Sequence, residues 1–379
     1  MGLNVATPLV GSWLPEHQGH VLFTTAHIDG TINKLSVVLE RYQRDDPVQL
    51  AQRFTETEEQ VVLDGIRPLP QAAPRLFADA LNQARSSIEH ALFAEVLYRL
   101  DRPLTSDESK AVEIPASDTP EKFELWAKHK HRSSIGLFAP GDDLYERILR
   151  LQPFHRQDRD QHPLRLLVEH TNFTKHREPT VAFTRVARID ADSVRPRRPA
   201  SERDVVEVGD VLAAVPIGKR EMFSVWPEVA VQRPHTGEWA TLMKEVGDIA
   251  DWVRRQALPI LIAGSSDLPP VPPGLDISVA YDSLGAAWLA AGETPAAKRM
   301  QNRLTSESLR ADILGMMVDR YGAESSQIFS IWLDGMSDET VMEKFPPVLR
   351  SASLGDIALF LRASDRWAVE AGVQLPNTI

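Results

Sequence analysis

The sequence predicts a helix-dominated α+β protein with a small all-helical domain at its C-terminal end. Several long stretches place apolar residues at helical spacing, and a few short stretches are rich in Val and Phe with partial alternation. Residues 264–274 contain four prolines and two glycines, a composition that resists helix and sheet and favours an extended spacer. We therefore predict an α+β domain over residues 1–263, a linker over 264–274 and an all-helical domain over 275–379.

Each helix is predicted from apolar spacing together with start and stop residues. Pro74 is a favoured first-turn residue and opens the longest helix, whereas Pro179 stops a later one. Helices are predicted, in chain order, over residues 25–44, 74–100, 120–130, 142–151, 163–177, 241–257, 309–321 and 354–371.

The strands are predicted from β-branched and aromatic stretches that lie between these helices. Two short strands are expected within residues 48–67, with a turn near Thr55 to Glu58. Further strands are expected over residues 111–114, 181–189, 205–216 and 222–232.

Composition excludes several classes of protein. No stretch approaches eighteen consecutive apolar residues, and residues 1–15 lack the basic and apolar regions of a secretory signal, so we expect neither a membrane span nor export. The chain has no cysteine, which excludes disulfides and thiolate zinc sites and fits the cytoplasm. Net charge is −11, which argues against coating nucleic acid through bulk charge. A local basic region nevertheless exists, because residues 121–198 hold 16 Lys and Arg against 11 Asp and Glu.

The long helix over 74–100 carries two different faces on a helical wheel. Its predicted core face consists of Phe77, Leu81, Ala84, Ile88 and Leu92. Its other side is polar through Asp79, Asn82, Arg85, Ser86, Glu89 and His90, and becomes apolar at Phe93, Val96 and Leu97. A helix with this pattern is partly covered on both sides, so we expect the polar stripe to line an interface or a cleft. A surface Arg85–Glu89 pair beside a packed His90 is the structural alternative.

The helix over 163–177 repeats this design. Arg165, Glu169, Asn172 and His176 share one side, opposite three apolar residues, and the helix ends in Asn172-Phe-Thr-Lys175-His176-Arg177. Cationic groups at a helix C-terminus complement its dipole, and they would equally suit a phosphate. The sequence leaves both readings open.

Four motifs occur in an order that resembles a family of mainly actinobacterial proteins of uncharacterised function. They are the segment Ala78 to His90 with its Arg85-x4-His90 spacing, Leu151-Gln-Pro-Phe154, Pro163-Leu164, and Asn172-x-x-Lys175-His176-Arg177. The match covers about residues 76–177. Through Arg-x4-His in a long helix, the family in turn looks like the HEPN superfamily. One position departs from the family pattern: the Asn two residues before the Arg is Gln83 here, with Asn82 one step earlier.

The resemblance implies a HEPN-like helical core and a homodimer that cleaves RNA without metal or cofactor, in a toxin or phage-defence role. Arg85 would stabilise phosphate charge and His90 would assist proton transfer while the ribose 2′-hydroxyl attacks. Substrate contacts would come from Asn82, Asn172, Lys175, His176 and Arg177. Many HEPN-like proteins bind without cutting, so the alternative is a non-catalytic binding or scaffold protein that uses the same helix faces.

The other motifs in the sequence do not indicate a metal site or a known hydrolase or nucleotide-binding site. His129-Lys130-His131 has no carboxylate at ligand spacing, so no metal site is expected there. No Gly-x-Ser-x-Gly, Walker A or Gly-x-Gly-x-x-Gly motif occurs, which removes the turns that those hydrolase and nucleotide-binding classes require.

Overall fold

Helices dominate the computed structural model, which describes residues 12–100, 102–176, 182–191, 206–219, 223–353 and 355–373. The helices of the first part are α1 (His20–Arg44), α2 (Ala72–Leu100), α3 (Ser106–Ala111), α4 (Pro120–Ala127), α5 (Lys130–Ser133), α6 (Asp143–Arg150), α7 (Pro163–His176), α8 (Leu242–Trp252), α9 (Leu258–Ala263) and α10 (Leu284–Ala290). The later helices are α11 (Ala296–Tyr321), α12 (Ser326–Asp334), α13 (Asp338–Lys344), α14 (Pro346–Ser353) and α15 (Ile357–Ala371). The predicted helix-dominated α+β class is confirmed.

Six strands form two antiparallel three-stranded sheets within the described residues. The strands are β1 (Val48–Phe54), β2 (Glu58–Ile66), β3 (Ala182–Ala191), β4 (Val211–Pro216), β5 (Phe223–Gln232) and β6 (Trp239–Thr241). One sheet has the order β1-β2-β4 and the other β3-β5-β6. Leu63, Val186 and Leu212 come from both sheets and bury their side chains in one small apolar cluster.

The two longest helices of the first part, α1 and α2, pack antiparallel against each other, joined by the β1–β2 hairpin. Thr31 bonds Gln83, while His20 at the start of α1 lies near His90, further along α2. The five predicted core residues of α2 (Phe77, Leu81, Ala84, Ile88 and Leu92) are all at most 1% exposed. Helices α7, α8 and α9 also pack on α2, so this helix is central to the first part of the chain.

The predicted strand at 111–114 is wrong. Thr105 and Glu108 form a reciprocal capping box that starts α3, and α3 continues to Ala111. Ile114 then lies in an irregular segment whose backbone N–H donates to a side chain of α2 rather than to a neighbouring strand.

The contacts divide the chain at a different place from the predicted linker. They separate two compact units, Met1–Ala297 and Lys298–Ile379. Residues 264–274 belong to the first unit, where Val271 is fully buried and the Trp13 indole N–H donates to Pro269 O at 2.7 Å. The prolines lie outside helix and strand, and Pro272 and Pro273 are buried, so this half of the segment packs instead of forming a spacer.

The second unit is helical in its described residues. Its core joins aromatic and aliphatic side chains of α11 to α15: Ile313, Met317, Phe329, Leu333, Val341, Phe345, Ala363, Trp367 and Ala368. The rings of Phe345 and Trp367 meet edge to face at 4.9 Å between centroids.

A membrane-crossing helix is not found among the described residues, since none of their helices combines the necessary length and apolarity.

Candidate functional site

The polar side of α2 forms a partly covered strip, as the sequence predicted. Asp79 and His90 are exposed, whereas Asn82, Arg85 and Glu89 are half-buried. Arg85 and His90 are five residues apart, which places them about 140° apart around the helix axis. They therefore occupy opposite edges of the strip, Arg85 towards α7 and His90 towards α1.

Arg85 connects the two motif helices. Its Nη1 donates to Thr171 Oγ1 at 2.9 Å and to Asn172 Oδ1 at 2.6 Å. The Thr171 hydroxyl donates back to Leu167 O at 2.8 Å, which orients its lone pairs towards Arg85. The side chain of Arg85 is only 18% exposed, so these bonds hold the guanidinium in one place.

Glu89 lies one turn beyond Arg85, with Oε1 at 3.7 Å from Arg85 Nε. Its Oε2 accepts from Ile114 N at 3.0 Å. Burial raises the pKa of Glu89 to about 7, helped by nearby Glu113, although Ile114 N–H and Arg85 oppose the rise. A carboxyl group that changes protonation near neutral pH thus lies beside the fixed guanidinium.

His90 is exposed, and its ring lies 6.4 Å from that of His20 between centroids. Burial lowers the pKa of His20 and the neighbouring His90 lowers it further, against the opposing effect of a hydrogen bond with the His17 backbone. His20 Nε2 is buried without a hydrogen-bond partner among the described residues. Two imidazoles thus lie side by side at the α1 edge of the strip, and the buried one favours its neutral form.

The departure from the family pattern at Gln83 has a structural consequence. Gln83 Oε1 accepts from Thr31 Oγ1 of α1 at 2.9 Å, so this side chain contributes to the α1–α2 interface. Asn82 lies on the outward strip, where its Oδ1 is buried with no hydrogen-bond partner in the described part of the chain. Of the two neighbouring amides, Asn82 is therefore the one whose side-chain oxygen is still able to accept a hydrogen bond.

The remaining predicted residues lie at the end of α7. Asn172 is exposed and bonds Arg85. Lys175 and His176 belong to the last turn of α7. Their side chains, and all of Arg177, lie outside the described residues.

Sequence reasoning missed Thr171 and His20 as members of this site. Thr171 had a weak signal, because it adjoins the Asn172 motif. His20 had none, since it lies 70 residues before His90 in the chain and only the pairing of α1 with α2 brings the two rings together.

A second polar network lies on another side of α7. Glu245 of α8 is 4% exposed and accepts from Arg233 Nε at 2.9 Å and Nη2 at 2.8 Å. Its Oε1 lies 3.3 Å from Nε2 of buried His170. Burial pushes the pKa of Glu245 upwards, but the bonds from His170 and Arg233 outweigh it and hold this pKa at about 2.

Within the described ranges, no three His, Cys, Asp or Glu side chains are grouped so that they could hold a metal ion. His129 and His131 lie 5.7 Å apart between ring centroids, without a third ligand.

Comparison with known proteins found no matching protein-family model, no matching curated protein and no matching solved structure. The family resemblance of the motifs therefore stays a prediction, and the function has to be inferred from the residues themselves.

Proposed function

We propose that this chain is a metal-independent ribonuclease of the HEPN type that acts as a homodimer. The observation that carries the proposal is the bond from Arg85 to Asn172, at 2.6 Å. It joins two motifs that are 87 residues apart in sequence. The helices α1, α2, α7 and α8 would form the HEPN-like core around this bond.

The chemistry assigned to the strip is cleavage by the neighbouring ribose hydroxyl. The 2′-oxygen bonds to phosphorus, the bond from phosphorus to the 5′-oxygen breaks, and the product ends in a 2′,3′-cyclic phosphate. One proton leaves the 2′-hydroxyl and one reaches the 5′-oxygen. His90 is exposed on a long helix and would serve as a proton-transfer group, since imidazole titrates near neutral pH. Arg85 would stabilise the negative charge that grows on the phosphate oxygens.

The separation of Arg85 and His90 explains why a dimer belongs to the proposal. The two residues face different edges of α2, about 140° apart. In a two-fold dimer with facing strips, Arg85 of one copy and His90 of the other would meet at one phosphate. Asn82, Asn172 and the end of α7 with Lys175, His176 and Arg177 would contact the flanking RNA.

The test is incubation of the purified full-length protein with total RNA, with and without EDTA, beside the His90→Ala variant. We expect wild-type cleavage that EDTA does not change and products with 2′,3′-cyclic phosphate ends. His90→Ala should abolish cleavage and leave the fold intact, because the side chain is exposed. His27→Ala removes another exposed histidine, on α1, and should cleave normally.

One observation favours a second candidate, a non-catalytic binding protein. Arg85 Nη1 already donates hydrogen bonds to Thr171 and Asn172, and these bonds hold α2 against α7 without any substrate. If the wild type binds RNA or a protein but cuts RNA under no condition, and His90→Ala binds equally well, the binding protein is the correct reading.

A further inference from the structure

A polar groove of about 350 Å³ opens in the first unit at the start of α7. Its walls are residues before and within the first turn of α7, Arg233 just after β5, and one side of α8 with the helical turn that follows. The volume falls within the range of small-molecule sites in proteins. Neither Arg85 nor His90 lines it.

The groove is separate from the Arg85 strip. Pro163 lines the groove, and it lies nine residues before Asn172 on the same helix. That spacing places the two residues on opposite sides of α7 and about 13 Å apart along its axis. A ligand of the groove therefore does not touch the proposed RNA site.

The charges of the groove leave one cation over. Four basic and three acidic side chains line it. Each acid is paired: Asp248 with Lys244, Asp251 with Arg255, and Glu245 with Arg233. The fourth basic residue, Arg156, makes no side-chain hydrogen bond or ion pair with any residue that the structure describes. The groove thus offers a free guanidinium and no free carboxylate.

Hydrogen bonds within the protein hold one wall of the groove in place. Glu245 is 4% exposed and accepts two hydrogen bonds from Arg233. Arg233 also donates to Gln161. His162 packs edge to face on Trp252, a residue of the groove, and its pKa is lowered to about 3, first by burial and then by nearby Arg156 and His155.

We propose that this groove is a binding site for a small phosphate-bearing molecule, with Arg156 as the phosphate contact. A guanidinium matches a phosphate through two parallel hydrogen bonds. The start of α7 adds the positive end of a helix dipole. The apolar parts of Leu166, Ile249 and Trp252 leave room for an organic group beside the phosphate.

The test is calorimetric titration of the full-length protein with inorganic phosphate, adenosine 5′-monophosphate and succinate. We expect the monophosphate to bind more tightly than inorganic phosphate, and succinate not to bind. Arg156→Ala should weaken the binding of both phosphates about tenfold, as expected for loss of a charge-assisted bond. Asp248→Asn should tighten it, because Lys244 loses its partner carboxylate, and a gain of this kind cannot come from misfolding.

Arg53→Ala is the matched control, since Arg53 is an exposed arginine on β1 that does not line the groove. No heat from either phosphate at millimolar concentration would overturn the proposal. Binding that Arg156→Ala leaves unchanged would overturn it too, and succinate binding without phosphate binding would refute the phosphate assignment. None of these outcomes depends on whether the protein cleaves RNA.

Discussion

Arg85 Nη1 of α2 lies 2.6 Å from Asn172 Oδ1 of α7, and the same nitrogen donates to Thr171 Oγ1 at 2.9 Å. This single guanidinium joins the two polar motifs of the sequence. The junction holds the guanidinium of Arg85 in one place and ties α2 to α7.

Arg85→Ala should lower the free energy of unfolding by about 1–3 kcal/mol, since it leaves the fully buried Thr171 hydroxyl without the guanidinium that donates to it. It should also abolish RNA cleavage. Asn172→Ala should cost less, because Asn172 is exposed. Urea denaturation of both single variants and the double variant should give a coupling energy on the order of 1 kcal/mol. Arg75→Ala, an exposed arginine of the same helix, is the control. Additive effects of Arg85→Ala and Asn172→Ala would mean that the bond contributes nothing.

Glu89 should make the protein less stable as pH rises through neutrality. The pKa of Glu89 in the folded state is about 7, above its ordinary value of 4.5. Between pH 4.5 and pH 7 the folded state therefore keeps a proton on Glu89 that the unfolded state has lost. Stability therefore falls as pH rises from 4.5 to 7 and stays lower above it, by up to about 3 kcal/mol. Glu89→Gln mimics the protonated form and should be stabilising at pH 8 and nearly neutral at pH 5.

Urea denaturation of wild type and Glu89→Gln at these two pH values measures the effect. Glu124→Gln changes an exposed carboxylate on α4 and should show no difference of this kind. Equal stability of Glu89→Gln and wild type at both pH values would show that burial does not perturb Glu89.

Glu245 should act in the opposite direction. Its folded pKa of about 2 lies below its ordinary value of 4.5, so its stabilising contribution is complete above 4.5 and is lost as pH falls towards 2. Glu245→Gln removes the 4% exposed carboxylate that accepts two hydrogen bonds from Arg233 and should cost about 3–5 kcal/mol at pH 7.

The difference between Glu245→Gln and wild type should shrink in urea denaturation at pH 3. Glu238→Gln is the matched control, because Glu238 also faces Arg233, at 3.5 Å, but is 54% exposed. It should cost less than about 1 kcal/mol. A Glu238→Gln cost as large as that of Glu245→Gln would mean that burial does not distinguish the two pairs.

The proposed homodimer makes the apolar end of α2 a candidate contact. The apolar residues there are Phe93, Val96 and Leu97, of which Val96 is fully buried within its own chain and is therefore excluded. Phe93 is half-buried, whereas Leu97 is 42% exposed and Tyr98 is 49% exposed, so Leu97 and Tyr98 are the most accessible candidates of this end. Leu97→Asp should convert the dimer to a monomer in light scattering, whereas Leu125→Asp, at an exposed leucine of α4, should not. A wild type that is monomeric at micromolar concentration would remove the dimer from the proposal.

Local patterns were enough to predict much of this molecule. The spacing of Phe77, Leu81 and Ile88 predicts both the existence of α2 and the face that it buries, because helical periodicity is a property of neighbouring residues. The β1–β2 hairpin and α6 follow from the same kind of signal. The strip from Asn82 to His90 was also visible, since its polarity interrupts an otherwise apolar helix.

Contacts between distant parts of the chain could not be read in this way. That Arg85 bonds Asn172, that Ile114 donates to Glu89, and that His20 lies beside His90 all depend on how separate elements pack. The same holds for Val96, which the wheel placed on an outer face, and for the prolines of 264–274, which pack rather than extend. The periodicity of apolar residues depends only on residues that are close in sequence, within a helical turn or along one strand. The burial and the pKa of a side chain depend instead on which other element covers it, and only the packing of the folded chain decides that.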